Sequence, residues 1–84
     1  MEELEKLRTG IFEIFVERFD TRLASEFVDL LEGRLVDSVK LVDLVLEIEQ
    51  RFGVELSFEE LEIEDFRTVA SLAERVARAA PSGL

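Results

Sequence analysis

The stretch Asp37-Ser38-Val39-Lys40-Leu41-Val42-Asp43-Leu44-Val45-Leu46-Glu47-Ile48-Glu49-Gln50-Arg51-Phe52-Gly53 carries the strongest helical periodicity in the chain. Leu41, Leu44, Val45, Ile48 and Phe52 recur at i, i+3, i+4, i+7 and i+11, which places them on one buried stripe of a helix. Gly53 follows as a residue type suited to closing a helix, so the spacing predicts a helix from Asp37-Ser38 to Phe52. Val39, Val42 and Leu46 make a second apolar strip, and turning the helix to bury it would expose much of the first. Asp43 and Glu47 lie beside that strip, one turn apart. Periodicity alone allows two readings of the strip: a face covered by a neighbouring loop, or an acid-rimmed face on which another protein docks.

Upstream, Leu4, Leu7, Ile11, Ile14, Phe15 and Phe19 recur every three or four residues and predict a helix over about 3–19. Gly10 lies off this stripe and weakens the helix by roughly 1 kcal/mol relative to Ala, so a start near Thr9 is an alternative. Residues 20–36 lack a regular period, yet a connection of that length in a small domain usually has local structure. Phe27, Leu30, Leu31 and Leu35 are expected to pin it to the core, with a helical turn around 25–31 and a change of direction at Gly33.

Downstream, Ser57-Phe58-Glu59-Glu60 reads as a capping box opening a short helix that ends near Ile63 or Glu64. Thr68 then caps a last helix with Val69, Leu72, Ala73, Val76 and Ala77 on one side, before Pro81 and Gly83 end the ordered chain. The expected fold is all-α: a small four-helix bundle with a long ordered loop between helices one and two and a short third helix. Residues 1–80 are expected to form a single domain and 81–84 a short C-terminal tail.

The chain has 84 residues, room for one modest core. Hydrophobic residues at 48% beside charged residues at 36% favour a folded amphipathic domain over a disordered tail. Twenty acids against ten bases leave a formal charge of -10, which repels nucleic-acid phosphates and anionic headgroups and suits basic patches on other proteins. Cys and His are both absent. That removes thiolate metal sites, disulfides and every Ser-His-Asp or Cys-His centre, so neither catalytic residues nor metal ligands are expected. The acids do not fall into a calcium-loop spacing either. The acidic start Met1-Glu2-Glu3-Leu4-Glu5 is unlike a secretory signal, and no apolar run reaches spanning length. The expectation is a cytoplasmic monomer that neither inserts in membranes nor binds nucleic acid.

An Asp-Ser pair at a helix start is ordinarily a cap and nothing more. Here it belongs to the string Gly33-Arg34-Leu35-Val36-Asp37-Ser38-Val39, which runs without a gap into the stretch from Leu41 to Val54 and is followed later by Phe66-Arg67-Thr68-Val69-Ala70-Ser71-Leu72. Taken in order, these segments resemble the acyl carrier protein and peptidyl carrier protein family, over nearly the whole chain. The family signature is Asp-Ser-Leu at the start of the second helix, then a Val/Leu-rich amphipathic helix ending in Glu-x-x-Phe-Gly. The resemblance implies a discrete, freestanding carrier domain with a bundle of the acyl-carrier type.

It further implies that Ser38, beside the motif residue Asp37, receives 4′-phosphopantetheine from coenzyme A through a separate phosphopantetheinyl transferase. The arm would supply the thiol the chain lacks and carry acyl or aminoacyl groups as thioesters. Asp37 is then the expected helix cap, Ser38 points outward, and exposed N–H groups at the helix start favour the phosphate. By the same resemblance Val39, Val42 and Leu46 meet apolar hollows on partner enzymes, while Asp43 and Glu47 pair with their Lys or Arg residues in brief contacts. The implied partners are the transferase, a loading ligase or acyltransferase, and acyl-processing or condensing enzymes of fatty-acid, polyketide, D-alanyl or peptide-type biosynthesis. The chain departs from the pattern at Val39, where Leu is usual, and at Lys40, where many fatty-acid carriers have an acid; Lys40 could pair with the arm's phosphate. The alternative is an unmodified acidic helical adaptor of the same fold that uses the strip only to bind protein.

Overall fold

The structure, a computed structural model, describes residues 2–56 and 59–81. Among them are three α-helices, α1 (Glu2–Phe19), α2 (Ser38–Phe52) and α3 (Val69–Ala77), with a single-turn 3-10 helix at Ile63–Phe66. Two short strands, β1 (Val54–Glu55) and β2 (Ala80–Pro81), pair antiparallel, with Val54 opposite Pro81.

The apolar stripes meet in one core. Leu7, Ile11, Ile14 and Phe15 of α1 are buried with Leu44, Val45 and Ile48 of α2 and Val69, Leu72, Ala73 and Val76 of α3. Each large side chain so buried contributes about 1.5–3 kcal/mol relative to exposure. The contacts between α1 and α2 fix their relative direction. As α1 advances through Gly10, Glu13, Glu17 and Arg18, its partners on α2 retreat through Phe52, Arg51 and Glu47, so the two helices run antiparallel. Gly10 lies directly under the Phe52 ring, where a Cβ would collide with it. α1 runs unbroken from Glu2 and does not begin near Thr9.

Several sequence expectations are corrected. Phe27 does not pin the loop; it is 72% exposed, and Leu30 and Val36 are the loop's buried residues. The expected helical turn around 25–31 is two turns: Val28 N–H donates to the Ser25 carbonyl at 3.4 Å, and the Asp29 carboxylate accepts the N–H groups of Leu31 (3.1 Å) and Glu32 (2.8 Å) to start a second turn over 30–34. The loop's left-handed residues are Asp20 (φ 50) and Arg34 (φ 57), and Gly33 is not among them. Ala77 is exposed, although the stripe placed it inward.

The expected cap at Ser57 and Phe58 lies outside the described residues. Glu59 and Glu60 form a turn, and the short helical element sits downstream at Ile63–Phe66, where Glu62 N–H donates to Asp65 Oδ2 at 2.9 Å and Phe66 enters the core. The described chain is thus a small all-helical domain of three α-helices and a 3-10 turn, with a two-residue strand pair tying Pro81 back to the segment after α2.

Candidate functional site

The site is built at the start of α2. Asp37 has extended backbone angles (φ -112, ψ -175), and its Oδ1 accepts the N–H groups of Val39 (3.0 Å) and Lys40 (2.9 Å). Its carbonyl oxygen accepts the Leu41 N–H at 2.8 Å, the first bond of the helix. Asp37 is therefore the N-cap, as expected, and Ser38 is the first helical residue. A capping serine would have its hydroxyl tied to the backbone. Ser38 is instead exposed, and among the described residues no hydrogen bond engages its hydroxyl. One expectation changes: the two N–H groups taken by Asp37 are already satisfied by a carboxylate, so they are not free for a phosphate.

The approach to Ser38 is held from a distance. Leu35 and Val36 donate their N–H groups to the Leu30 carbonyl at 2.9 and 3.2 Å, and Leu30 N–H donates to the Arg67 carbonyl at 2.7 Å. The Arg67 guanidinium donates to Asp29 Oδ2 at 2.9 Å and to both Glu64 oxygens at 2.7 and 2.8 Å. The loop is thus clasped to the segment entering α3. Asp29 is held below its ordinary 3.8, first by the Glu32 N–H bonded to its carboxylate and also by Arg67. Arg67 likewise holds Glu64 below 4.5, and the two carboxylates push the guanidinium up. At the far end of α2, Gly53 takes the left-handed conformation (φ 63, ψ 39) and donates its N–H to the Glu49 carbonyl. The Glu49 side chain then receives the Leu56 N–H at 2.9 Å, fixing the exit as well.

The second strip of α2 is left open by the loop. Val39 is 71% exposed, and Val42 and Leu46 are exposed beside it. Asp43 is exposed and makes no ion pair among the described residues. Glu47 differs: its Oε1 lies 3.3 Å from Arg18 Nε of α1, and its side chain is only 21% exposed. Lys40 is half-buried and makes no ion pair among the described residues. It stands two positions after Ser38, a spacing at which helix residues do not face each other. The sequence reading missed Arg18 beside Glu47, the Arg67 clasp, and three exposed apolar side chains, Val16, Phe27 and Ile63. No local signal marks the Arg18–Glu47 pair or the Arg67–Asp29 bond, since each joins residues far apart in the chain. Among the described residues, no three acidic side chains gather in a group that could hold a metal ion. No described helix is long and apolar enough to cross a membrane.

A small helical domain with a free, exposed hydroxyl beside an open apolar strip has the form of a carrier whose reactive chemistry is attached from outside. Residues 29–76, more than half of the chain, match the family described as phosphopantetheine attachment site, and the protein belongs to that family. Such domains hold 4′-phosphopantetheine covalently and are not themselves catalytic. The residues present fit the group, since the Ser38 oxygen lies within the matched segment and is neither buried nor engaged by the cap. No curated protein matches the chain.

Proposed function

We propose that the protein is an acyl-type carrier whose 4′-phosphopantetheine is joined to Ser38. The observation that supports this most directly is the division of labour at the start of α2, where Asp37 caps the helix and leaves the neighbouring hydroxyl exposed and uncommitted. In the attachment, Ser38 Oγ forms a bond to the phosphorus on the pantetheine side of coenzyme A, and the bond to the nucleotide half breaks. The hydroxyl proton goes to a base of the phosphopantetheinyl transferase, because this chain has no His to receive it. When bound, the group supplies a thiol that holds acyl or aminoacyl cargo as a thioester.

The chain's own residues hold and present. Asp37 fixes the helix start, and the loop clasp at Arg67 fixes the approach to it. Val39, Val42 and Leu46 offer apolar contact to partner enzymes, and Asp43 and Glu47 offer charge to their basic residues. The 3-10 turn Ile63–Phe66 is read as the short third helix of a four-helix carrier bundle. The partners are the transferase, a loading ligase or acyltransferase, and processing or condensing enzymes of fatty-acid, polyketide, D-alanyl or peptide-type assembly, acting in the cytoplasm.

Intact-mass measurement after incubation with coenzyme A and a promiscuous transferase tests the reading. The wild-type protein is expected to gain the mass of one phosphopantetheine, and Ser38→Ala to gain none. A folded wild-type protein that stays unmodified would overturn the carrier role and leave the unmodified adaptor in its place.

A further inference from the structure

We propose that Arg18 is an internal rival for the basic partners of α2, making Glu47 the covered pole of the docking face and Asp43 its open pole. The proposal rests on the carrier reading above. The two acids beside the apolar strip occupy different electrostatic situations. Asp43 is exposed and unpaired among the described residues, whereas the Glu47 carboxylate has Arg18 Nε 3.3 Å away.

The antiparallel packing of α1 on α2 delivers that guanidinium. Gly10 against Phe52, and Glu13 and Glu17 against Arg51, set the register that brings Arg18 level with Glu47. Arg18 also stands in the last turn of α1, where the negative end of the helix dipole favours a cation. Its side chain remains 58% exposed, so the pair is a surface contact that a competing cation can displace.

A partner's Lys or Arg arriving at Asp43 meets a free carboxylate. One arriving at Glu47 meets Arg18 first, and must both displace it and sit beside a like charge. The face therefore favours partners whose cations concentrate near the first half of α2 over those that need both acids. Arg18 touches neither Ser38 nor the cargo; it is a positioning residue that sets selectivity through Glu47.

Transfer of phosphopantetheine to the full chain, with the transferase as the basic partner, separates KM from kcat. Arg18→Ala is expected to lower the KM for the carrier by about twofold to fivefold, the range of an exposed ion pair, with kcat unchanged. Arg18→Lys keeps the native KM, and the double variant Arg18→Ala/Glu47→Gln returns it to the native value or above. Thermal melts of each variant show that the fold is retained. An Arg18→Ala KM equal to wild type overturns the rivalry, as does a double variant whose KM stays as low as that of Arg18→Ala. If the wild-type protein is modified at Ser38 while Arg18→Ala matches it, the rivalry alone fails. If the wild-type protein gains no phosphopantetheine, the carrier reading fails and the rivalry falls with it.

Discussion

Asp37 and Ser38 are adjacent polar residues that could each cap a helix, and the acid takes the task. Its single Oδ1 receives two N–H groups, which accounts for the orientation of the helix start as well as for the free hydroxyl beside it. Asp37→Ala is expected to cost about 1 kcal/mol of stability in chemical denaturation, with Asp37→Asn retaining most of it. Gly10 gives a sharper case. In an exposed helix, Gly to Ala gains about 1 kcal/mol. Here the added methyl meets the far edge of the Phe52 ring, an over-packing that costs roughly 1–3 kcal/mol, so Gly10→Ala is expected to lose up to about 2 kcal/mol net of that gain. Combining it with Phe52→Leu should recover part of that loss, and a stabilised single variant would show that the ring moves aside freely.

The element that most needs explanation is the loop between α1 and α2, because it delivers the chain to Ser38 without regular structure. Its order comes from Asp29, which starts the turn after it, and from Arg67, which grips Asp29 and Glu64 together. Both carboxyls titrate lower in the folded chain than in the unfolded one, so on acidification the unfolded chain takes up their protons first. Their contribution is fully present above the ordinary values of 4.5 and 3.8 and is lost as pH falls through the lower folded values. Arg67→Ala should therefore lie below wild type in urea midpoint at neutral pH, and the gap should close toward acid pH. A gap independent of pH would mean that Arg67 acts through packing alone.

Over the whole molecule, twenty acids face ten bases; among the described residues the ion pairs of Arg18, Arg51 and Arg67 lie at the surface, while Arg75 and Asp65 meet with only 20% and 19% of their side chains exposed. Self-repulsion should outweigh what these pairs contribute, since exposed pairs are worth about 0–1 kcal/mol each. The thermal midpoint is accordingly expected to rise from low salt to about 1 M salt, where the Debye length is about 3 Å. A fall would show that the ion pairs dominate. The same excess charge gives partner encounters their steering, so transferase kinetics should slow as salt rises even while the fold becomes more stable.

The three α-helices, the Asp37 cap, the Gly53 stop and the Thr68 cap were legible in the sequence, because each depends on residues within a few positions of one another. A 3.6-residue period and a capping side chain are properties of the local chain. The rest required closure of the chain. Whether the Val39, Val42 and Leu46 strip is covered depends on where a distant loop comes to rest, and the loop passes it by because Leu30 and Val36, not Phe27, anchor it. The Arg18–Glu47 pair and the grip of Arg67 on Asp29 join residues brought together only by helix packing, as does the pairing of 54–55 with 80–81. Sequence periodicity determined which faces are apolar; tertiary structure decided which of them solvent still reaches, because exposure is set by neighbours that lie far away along the chain.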